Sequence, residues 1–131
     1  MANNYAPFTI DPTDIKLTDE MLKVLDMCGM EHNPNEAGHY LYSTDGIDLE
    51  RYWFEDEPDC PDWAKEMNPL QVLDYIRKTN NLPYIQIAGA FSCDKMRPGE
   101  FGGFEYLLTA DGIKFMSTGE LLNKFLKKTQ K

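Results

Sequence analysis

Apolar residues recur at helical spacing between residues 18 and 29. Thr18 is placed to cap a helix N-terminus with its hydroxyl, and two acidic residues follow it in the first turn, where the helix dipole favours anions. Gly29 is placed to end the helix in a left-handed conformation. The pattern therefore predicts a first helix with one apolar face, made of Met21, Leu22, Leu25 and Cys28.

A second helix is predicted to begin after Asn68. Asn68 can cap this helix, Pro69 suits its first position, and Gln71 can complete a capping box. Pro83 disfavours helical conformation at the residue before it, so we expect the helix to end within the sequence TNNLP.

The C-terminal residues predict a third helix. Ser117 and Glu120 are spaced as a capping box, and four apolar residues follow at helical spacing. Lysines concentrate at the end of this segment, where the helix dipole favours cations, and we interpret them as a solvated helix end. The apolar residues are Leu121, Leu122, Phe125 and Leu126, and the lysines are Lys124, Lys127, Lys128 and Lys131.

The strongest strand pattern is YIQIAGAFS, residues 84–92. Alternation places Ile85, Ile87 and Phe91 on one face of this strand. The opposite face is small at Ala88 and Ala90, which predicts a central strand with something packed close over the two alanines. Near the N-terminus, the shorter PFTI pattern predicts an extended lead or an edge strand.

Two Asp-Gly dipeptides predict tight hairpins. The first hairpin would join residues 40–43 to residues from 47 onward through Asp45-Gly46, and the second would join 103–110 to 113–116 through Asp111-Gly112. Segments 33–49 and 97–115 also share the order Pro, Glu, Gly, aromatic strand, Asp-Gly. Because Asp-Gly is the favoured dipeptide of type I′ turns, this likeness indicates the same hairpin pattern used twice rather than a duplication.

These elements predict an α+β fold, with an antiparallel sheet of four to five strands and about three helices packed mainly on one face. Residues 1–13 would form an extended N-terminal lead, and residues 14–131 a single domain.

The charge of the chain restricts its partners. There are 22 acidic and 13 basic residues, a net charge of −9, which repels nucleic-acid phosphates and anionic membrane surfaces. The chain has no apolar run long enough for a spanning helix and no secretory signal pattern at its start, so we expect a cytoplasmic protein. Three cysteines fit reduced thiols better than a disulfide framework.

Residues 50–66 form the most unusual segment, which we call the acidic loop. Its seven carboxylates are accompanied by only two cationic residues, and aromatic residues are interleaved with them. Aromatic side chains supply contact area and a negative field steers a basic partner, so this pattern suits a protein-binding surface. The residues we expect to carry it are Glu50, Tyr52, Trp53, Glu55, Asp56, Glu57, Asp59, Asp62 and Trp63.

The acidic loop supports the hypothesis of a small acidic protein-binding domain that engages, and in doing so inhibits, a basic protein partner. Immunity proteins and phage counter-defence inhibitors have this general character, which is an analogy of class only. The competing structural interpretation is that the aromatic side chains face the core while the carboxylates form a solvated loop.

The alternative functional hypothesis is a small-molecule-binding protein or an enzyme with its site at the loop 93–103. Cys93 would supply a thiolate assisted by Lys95 or Arg97, and His39 would act as its base. Arg97 and Glu100 would bind a small anion or a partner. The spacing of Cys28, His32 and His39 matches no standard zinc site, and the acidic loop lacks the regular spacing of a calcium loop. We therefore predict neither a metal nor a cofactor.

Overall fold

The structure, a computed structural model, describes residues 4–93 and 102–118. Within these ranges the chain forms two helices and seven strands. In chain order they are β1 (Asn4–Tyr5), β2 (Phe8–Asp11), α1 (Asp19–Met27), β3 (Glu31–Pro34), β4 (His39–Ser43), α2 (Pro69–Thr79), β5 (Tyr84–Cys93), β6 (Gly102–Thr109) and β7 (Gly112–Ser117).

All strands belong to one antiparallel sheet with the order β3-β4-β2-β5-β6-β7. The short strand β1 pairs with β5 in the register that β2 continues, since Tyr5 lies opposite Ser92 and Phe8 opposite Gly89. Between them, the carbonyl of Pro7 accepts a hydrogen bond from the amide of Ala90 at 3.1 Å. β1 and β2 are therefore one strand position, and the sheet has six.

The helices connect strands that are not neighbours. α1 joins β2 to β3 across β4, and α2 joins β4 to β5 across β2. From β2 to β5 the chain thus follows the β-α-β-β-α-β order of the split βαβ, or ferredoxin-like, arrangement. The hairpin of β6 and β7 extends this sheet beyond β5.

The two faces of the sheet differ in burial. On one face Phe8, Ile10, Leu41, Ile85 and Ile87 are at most 3% exposed. They form a single core with side chains of α1, α2 and the acidic loop, among them Val24, Leu25, Phe54, Ala64, Leu73 and Ile76. We call the opposite face, which includes Thr9, Tyr40, Tyr42, Ala88 and Ala90, the open face.

The two described helices confirm the predicted caps. The Thr18 hydroxyl accepts a hydrogen bond from the Met21 amide at 3.2 Å, and Gly29 follows the end of α1 with φ +84°. Asn68 and Gln71 bond reciprocally at 2.8 and 2.9 Å at the start of α2. The predicted third helix lies outside the described residues, apart from Ser117, which ends β7, and Thr118.

Two strand predictions are wrong. The sequence PFTI belongs to neither an extended lead nor an edge strand, because β2 pairs with β4 on one side and β5 on the other. β4 forms its hairpin with β3, upstream, and not with the residues after Asp45-Gly46. The β3–β4 turn is closed by Asn35, whose side-chain oxygen accepts hydrogen bonds from the amides of Ala37 and Gly38 at 2.9 Å.

Gly46 does not form the predicted hairpin turn. Its φ is +89°, and a Cβ atom at this position would lie 2.4 Å from the carbonyl oxygen of Ala6. The glycine therefore lets the chain pass close to the junction of β1 and β2 before it enters the acidic loop.

The second predicted hairpin is confirmed with a shift of one residue, since Thr109 pairs with Gly112 and the turn is Ala110-Asp111. The two Asp-Gly dipeptides thus serve different purposes, and the likeness of segments 33–49 and 97–115 is not one hairpin pattern used twice. The strand count also exceeds the predicted four to five, because β3 and β2 were not both expected in the sheet. Neither helix of the described part is long and apolar enough to cross a membrane.

Candidate functional site

The acidic loop is attached to the core by three side chains. Phe54, Cys60 and Ala64 are at most 5% exposed and belong to the core. Between these anchors the backbone is folded into successive turns, with hydrogen bonds from the Glu57 amide to the Phe54 carbonyl and from the Cys60 amide to the Glu57 carbonyl, both 3.2 Å. The backbone of the loop is therefore held in a defined conformation by turns and by buried side chains.

Both tryptophans of the loop contact their own domain. The Trp53 indole N–H donates to the carbonyl of Asp48 at 2.8 Å, and the Arg51 guanidinium lies 4.3 Å above its ring. The Trp63 ring stacks on Tyr75 of α2 with the centroids 4.3 Å apart. Both side chains are half-buried, so most of their apolar area is used within the fold.

The carboxylates of the loop face solvent. Glu55, Asp56, Glu57, Asp59 and Asp62 are all exposed. Among the described residues, the only ion pair made by these five is the one between Asp62 and Lys65, 3.6 Å long and solvent-exposed. Six of the seven carboxylates of the loop, all except Asp62, therefore have no cationic partner in residues 4–93 and 102–118.

Tyr52 is the aromatic residue of the loop that remains available, with 49% of its surface exposed. It lies between Glu50 and the exposed carboxylates along the chain. On β6, the pKa of Tyr106 is raised by burial and by the negative charges of Glu50 and Asp48. The candidate site is thus one phenol ring beside a row of carboxylates on a folded loop.

This arrangement can bind cationic groups, and the thiol within the acidic loop is not a reactive one. The nearest thiol is Cys60, which is buried, and burial raises its pKa, so the reactive thiolate is disfavoured. Within the described residues, no group of three or more His, Cys, Asp or Glu side chains could hold a metal ion.

The alternative site is not assembled by the described residues. The register places Asp11 opposite Gln86, seven residues before Cys93 on β5, and His39 lies at this same end of the sheet, next to Tyr40 of β4. At the rise of a strand, His39 and Cys93 are on the order of 20 Å apart. Arg97 and Glu100 lie outside the described residues.

Cys28, His32 and His39 also do not form a metal site. The Cys28 thiol donates to the carbonyl of Leu25 at 3.2 Å, and burial raises its pKa to about 11. The two imidazoles meet edge to face with centroids 5.7 Å apart, and His32 contacts Asp26 at 3.3 Å. Two imidazoles and a protonated thiol are fewer ligands than a structural zinc ion requires.

A second surface, which was not predicted from the sequence, lies on the open face of the sheet. A cavity of about 550 Å³ lies between stacked Tyr40 and Tyr42 and the small residues Ala88 and Ala90. A second cavity, of about 220 Å³, continues it toward Met116. We call the two together the trough. The small residues of the 84–92 pattern were the only sequence signal for it.

The chain matches no protein-family model, and no curated protein or solved structure is significantly similar to it. The function must therefore be argued from the residues themselves.

Proposed function

We propose that this chain is a protein-binding domain that engages a basic partner protein through the acidic loop, with Glu55, Asp56, Glu57, Asp59 and Asp62 as the charged contacts and Tyr52 as the aromatic one. The observation that carries the proposal is the contrast within the loop. Its apolar side chains anchor it to the core, while its carboxylates are exposed and nearly without cationic partners in the described residues.

Anchoring supports binding because a loop that is already folded loses little conformational entropy on association. Each rotamer-rich side chain immobilised at an interface costs about 0.5–1.5 kcal/mol, and a mobile backbone would add to this cost. The turn hydrogen bonds at Glu57 and Cys60 and the ring stacking at Trp63 remove much of the backbone cost before the partner arrives.

Charge supports selection of a basic partner. One exposed ion pair contributes about 0.2–1 kcal/mol, so no single carboxylate decides the affinity. Several carboxylates on one loop produce a field that accelerates encounter with a positive surface and rejects a negative one. Covering a basic surface in this way would inhibit a partner that uses that surface to bind nucleic acid.

The proposal is tested with two variants of equal charge. The loop variant carries Asp56→Asn, Glu57→Gln and Asp59→Asn. The control variant carries Glu36→Gln, Asp45→Asn and Asp111→Asn, which are exposed acids outside the acidic loop. Each is tagged and used to capture partners from nuclease-treated lysate of the native cell at low and high salt.

The expected result is a basic protein captured by the wild type and by the control variant at low salt, lost at high salt, and lost from the loop variant at both. Salt should release it because the Debye length falls from about 10 Å at 0.1 M to about 3 Å at 1 M. Equal capture by the two variants would contradict the assignment of the acidic loop. Capture of an acidic protein would contradict the proposed partner chemistry.

A further inference from the structure

The trough on the open face has a floor of small side chains. The registers place Tyr42, Thr9, Ala88, Glu105 and Met116 in one row across five adjacent strands. One level further along the strands, Ala90 lies opposite Gly103. The middle of the open face is therefore low, while Tyr42 and Met116 form higher walls on either side.

The walls of the trough are apolar and exposed. Tyr40 and Tyr42 stack with centroids 5.3 Å apart on the β4 side. On the other side stands Met116, which is 49% exposed. From Thr9 on β2 to Glu105 on β6 the floor spans two strand spacings, about 10 Å, which matches the diameter of an α-helix.

Three carboxylates on the open face are held in place by neutral donors. Glu31 accepts from the amide and hydroxyl of Thr44 at 2.6 and 2.8 Å, and Asp11 accepts from the Tyr84 hydroxyl at 3.0 Å. Glu105 accepts a hydrogen bond from the side-chain amide of Gln86 at 2.8 Å. None of the three is among the ion pairs of the described residues. Glu105 lines the smaller cavity, and Asp11 and Glu31 lie on the same face of the sheet beyond the residues that line the trough. The open face therefore suits an apolar occupant that carries positive charge.

The end of the described chain lies at this trough. Thr118 lines the smaller cavity, and its hydroxyl accepts a hydrogen bond from the Gly103 amide at 3.1 Å. Thirteen residues follow, GELLNKFLKKTQK, with one acidic residue and four lysines. A helix of this length would extend about 20 Å, whereas the four residue steps from Gly103 to Leu107 span about 13 Å along the open face.

We propose that residues 119–131 dock in the trough of their own chain as an amphipathic helix. The apolar residues Leu121, Leu122, Phe125 and Leu126 would cover the floor between the tyrosine and methionine walls. The lysines of the second half of the segment would meet Asp11 and Glu105, which lie further from Thr118 than Ala90 and Gly103 do. This proposal is independent of the acidic loop, which lies on the helix-covered side of the sheet.

The test uses the full chain with a spin label at the end of the segment. Cys93→Ser and Lys127→Cys restrict labelling to position 127, because Cys28 and Cys60 are at most 5% exposed. In the NMR spectrum, the spin label should remove most of the intensity from the backbone amide signals of Thr9, Ala88 and Leu107. The amide signals of Val24 and Leu73, in the helices, should keep their intensity. A matched control carries the label at Asp59→Cys in the acidic loop. This label should attenuate the amide signals of the helices and leave those of the open face unchanged.

Charge reversal tests the lysine contacts. Asp11→Lys with Glu105→Lys should restore the intensity at Ala88, whereas Asp111→Lys, at the β6–β7 turn, should leave it low. Unattenuated open-face amides in the labelled wild type, or attenuation of the helix layer, would overturn the proposal. So would attenuation that appears only when labelled chain is mixed with isotope-labelled unmodified chain, because the segment would then occupy another copy.

Discussion

The rings of Trp63 and Tyr75 lie nearly parallel, with an interplanar angle of 15° and 4.3 Å between their centroids. This contact attaches the acidic loop to the middle of α2, and the Trp63 N–H adds a long hydrogen bond, 3.4 Å, to Glu20 of α1. One side chain thus connects the loop to both helices. The proposed binding surface keeps its shape only while these contacts hold.

Trp63→Ala should therefore lower the free energy of unfolding by about 2 kcal/mol, less than the 3–5 kcal/mol of a fully buried tryptophan, because Trp63 is half-buried. Trp63→Phe keeps a ring over Tyr75 and should recover most of the loss. Denaturant unfolding of the two variants measures both values. Equal stability of Trp63→Ala and wild type would show that the stacking contact does not anchor the loop.

Phe54 and Tyr52 are a matched pair two residues apart in the acidic loop, 0% and 49% exposed respectively. Phe54→Ala should destabilise the fold by about 3–5 kcal/mol because it leaves a cavity in the core. Tyr52→Ala should change stability by less than about 0.5 kcal/mol, as is usual for surface positions. Chemical denaturation of both variants compares them, and a comparable loss in Tyr52→Ala would mean that the loop is buried differently.

The helices could be predicted from the sequence because their signals are local. Thr18, Asn68 and Gln71 act within one turn of the chain, and the structure confirms their hydrogen bonds. Strand pairing depends on distant residues. No strand was predicted at 31–34, where β3 forms the edge of the sheet and its proline, Pro34, is tolerated.

The candidate site was predictable in part. The carboxylates were expected at the surface because charged side chains are rarely buried without a partner, and the structure places them there. The direction of the aromatic residues was not predictable, because Phe54 and Tyr52 occupy similar sequence environments. Their burial differs because distant parts of the chain, α2 and the sheet, cover one ring and not the other. The trough was missed because it combines residues of five strands.

Gly29 and Gly46 have nearly equal backbone angles, φ +84° and +89°, but different surroundings. A Cβ at Gly29 would make an ordinary contact with Ile47 at 3.7 Å, whereas one at Gly46 would lie 2.4 Å from the Ala6 carbonyl oxygen. Gly29→Ala should cost about 1–2 kcal/mol from the left-handed conformation alone. Gly46→Ala should cost more, since backbone atoms must also move. Thermal unfolding of the two variants ranks them, and the reverse order would contradict the described packing.

Cys28 predicts a loss of stability at high pH. Its pKa is raised from 9.0 to about 11 by burial, so between these values the folded state retains a proton that the unfolded state has released. Stability contributed by the protonated thiol is complete below pH 9 and falls as the pH rises through 11, by at most about 3 kcal/mol. Cys28→Ala should show a shallower decline of unfolding free energy over this range. Parallel declines in the two proteins would contradict this environment for the thiol.

The most direct test of the acidic loop as the binding surface is zero-length cross-linking of the captured complex at low salt. A carbodiimide joins a carboxylate to a lysine amine only when the two are in contact. We expect intermolecular links from Glu55, Asp56, Glu57 or Asp59 to lysines of the basic partner, and we expect these links to disappear in high salt. Links formed instead from Glu36, Asp45 or Asp111, with none from the acidic loop, would contradict it.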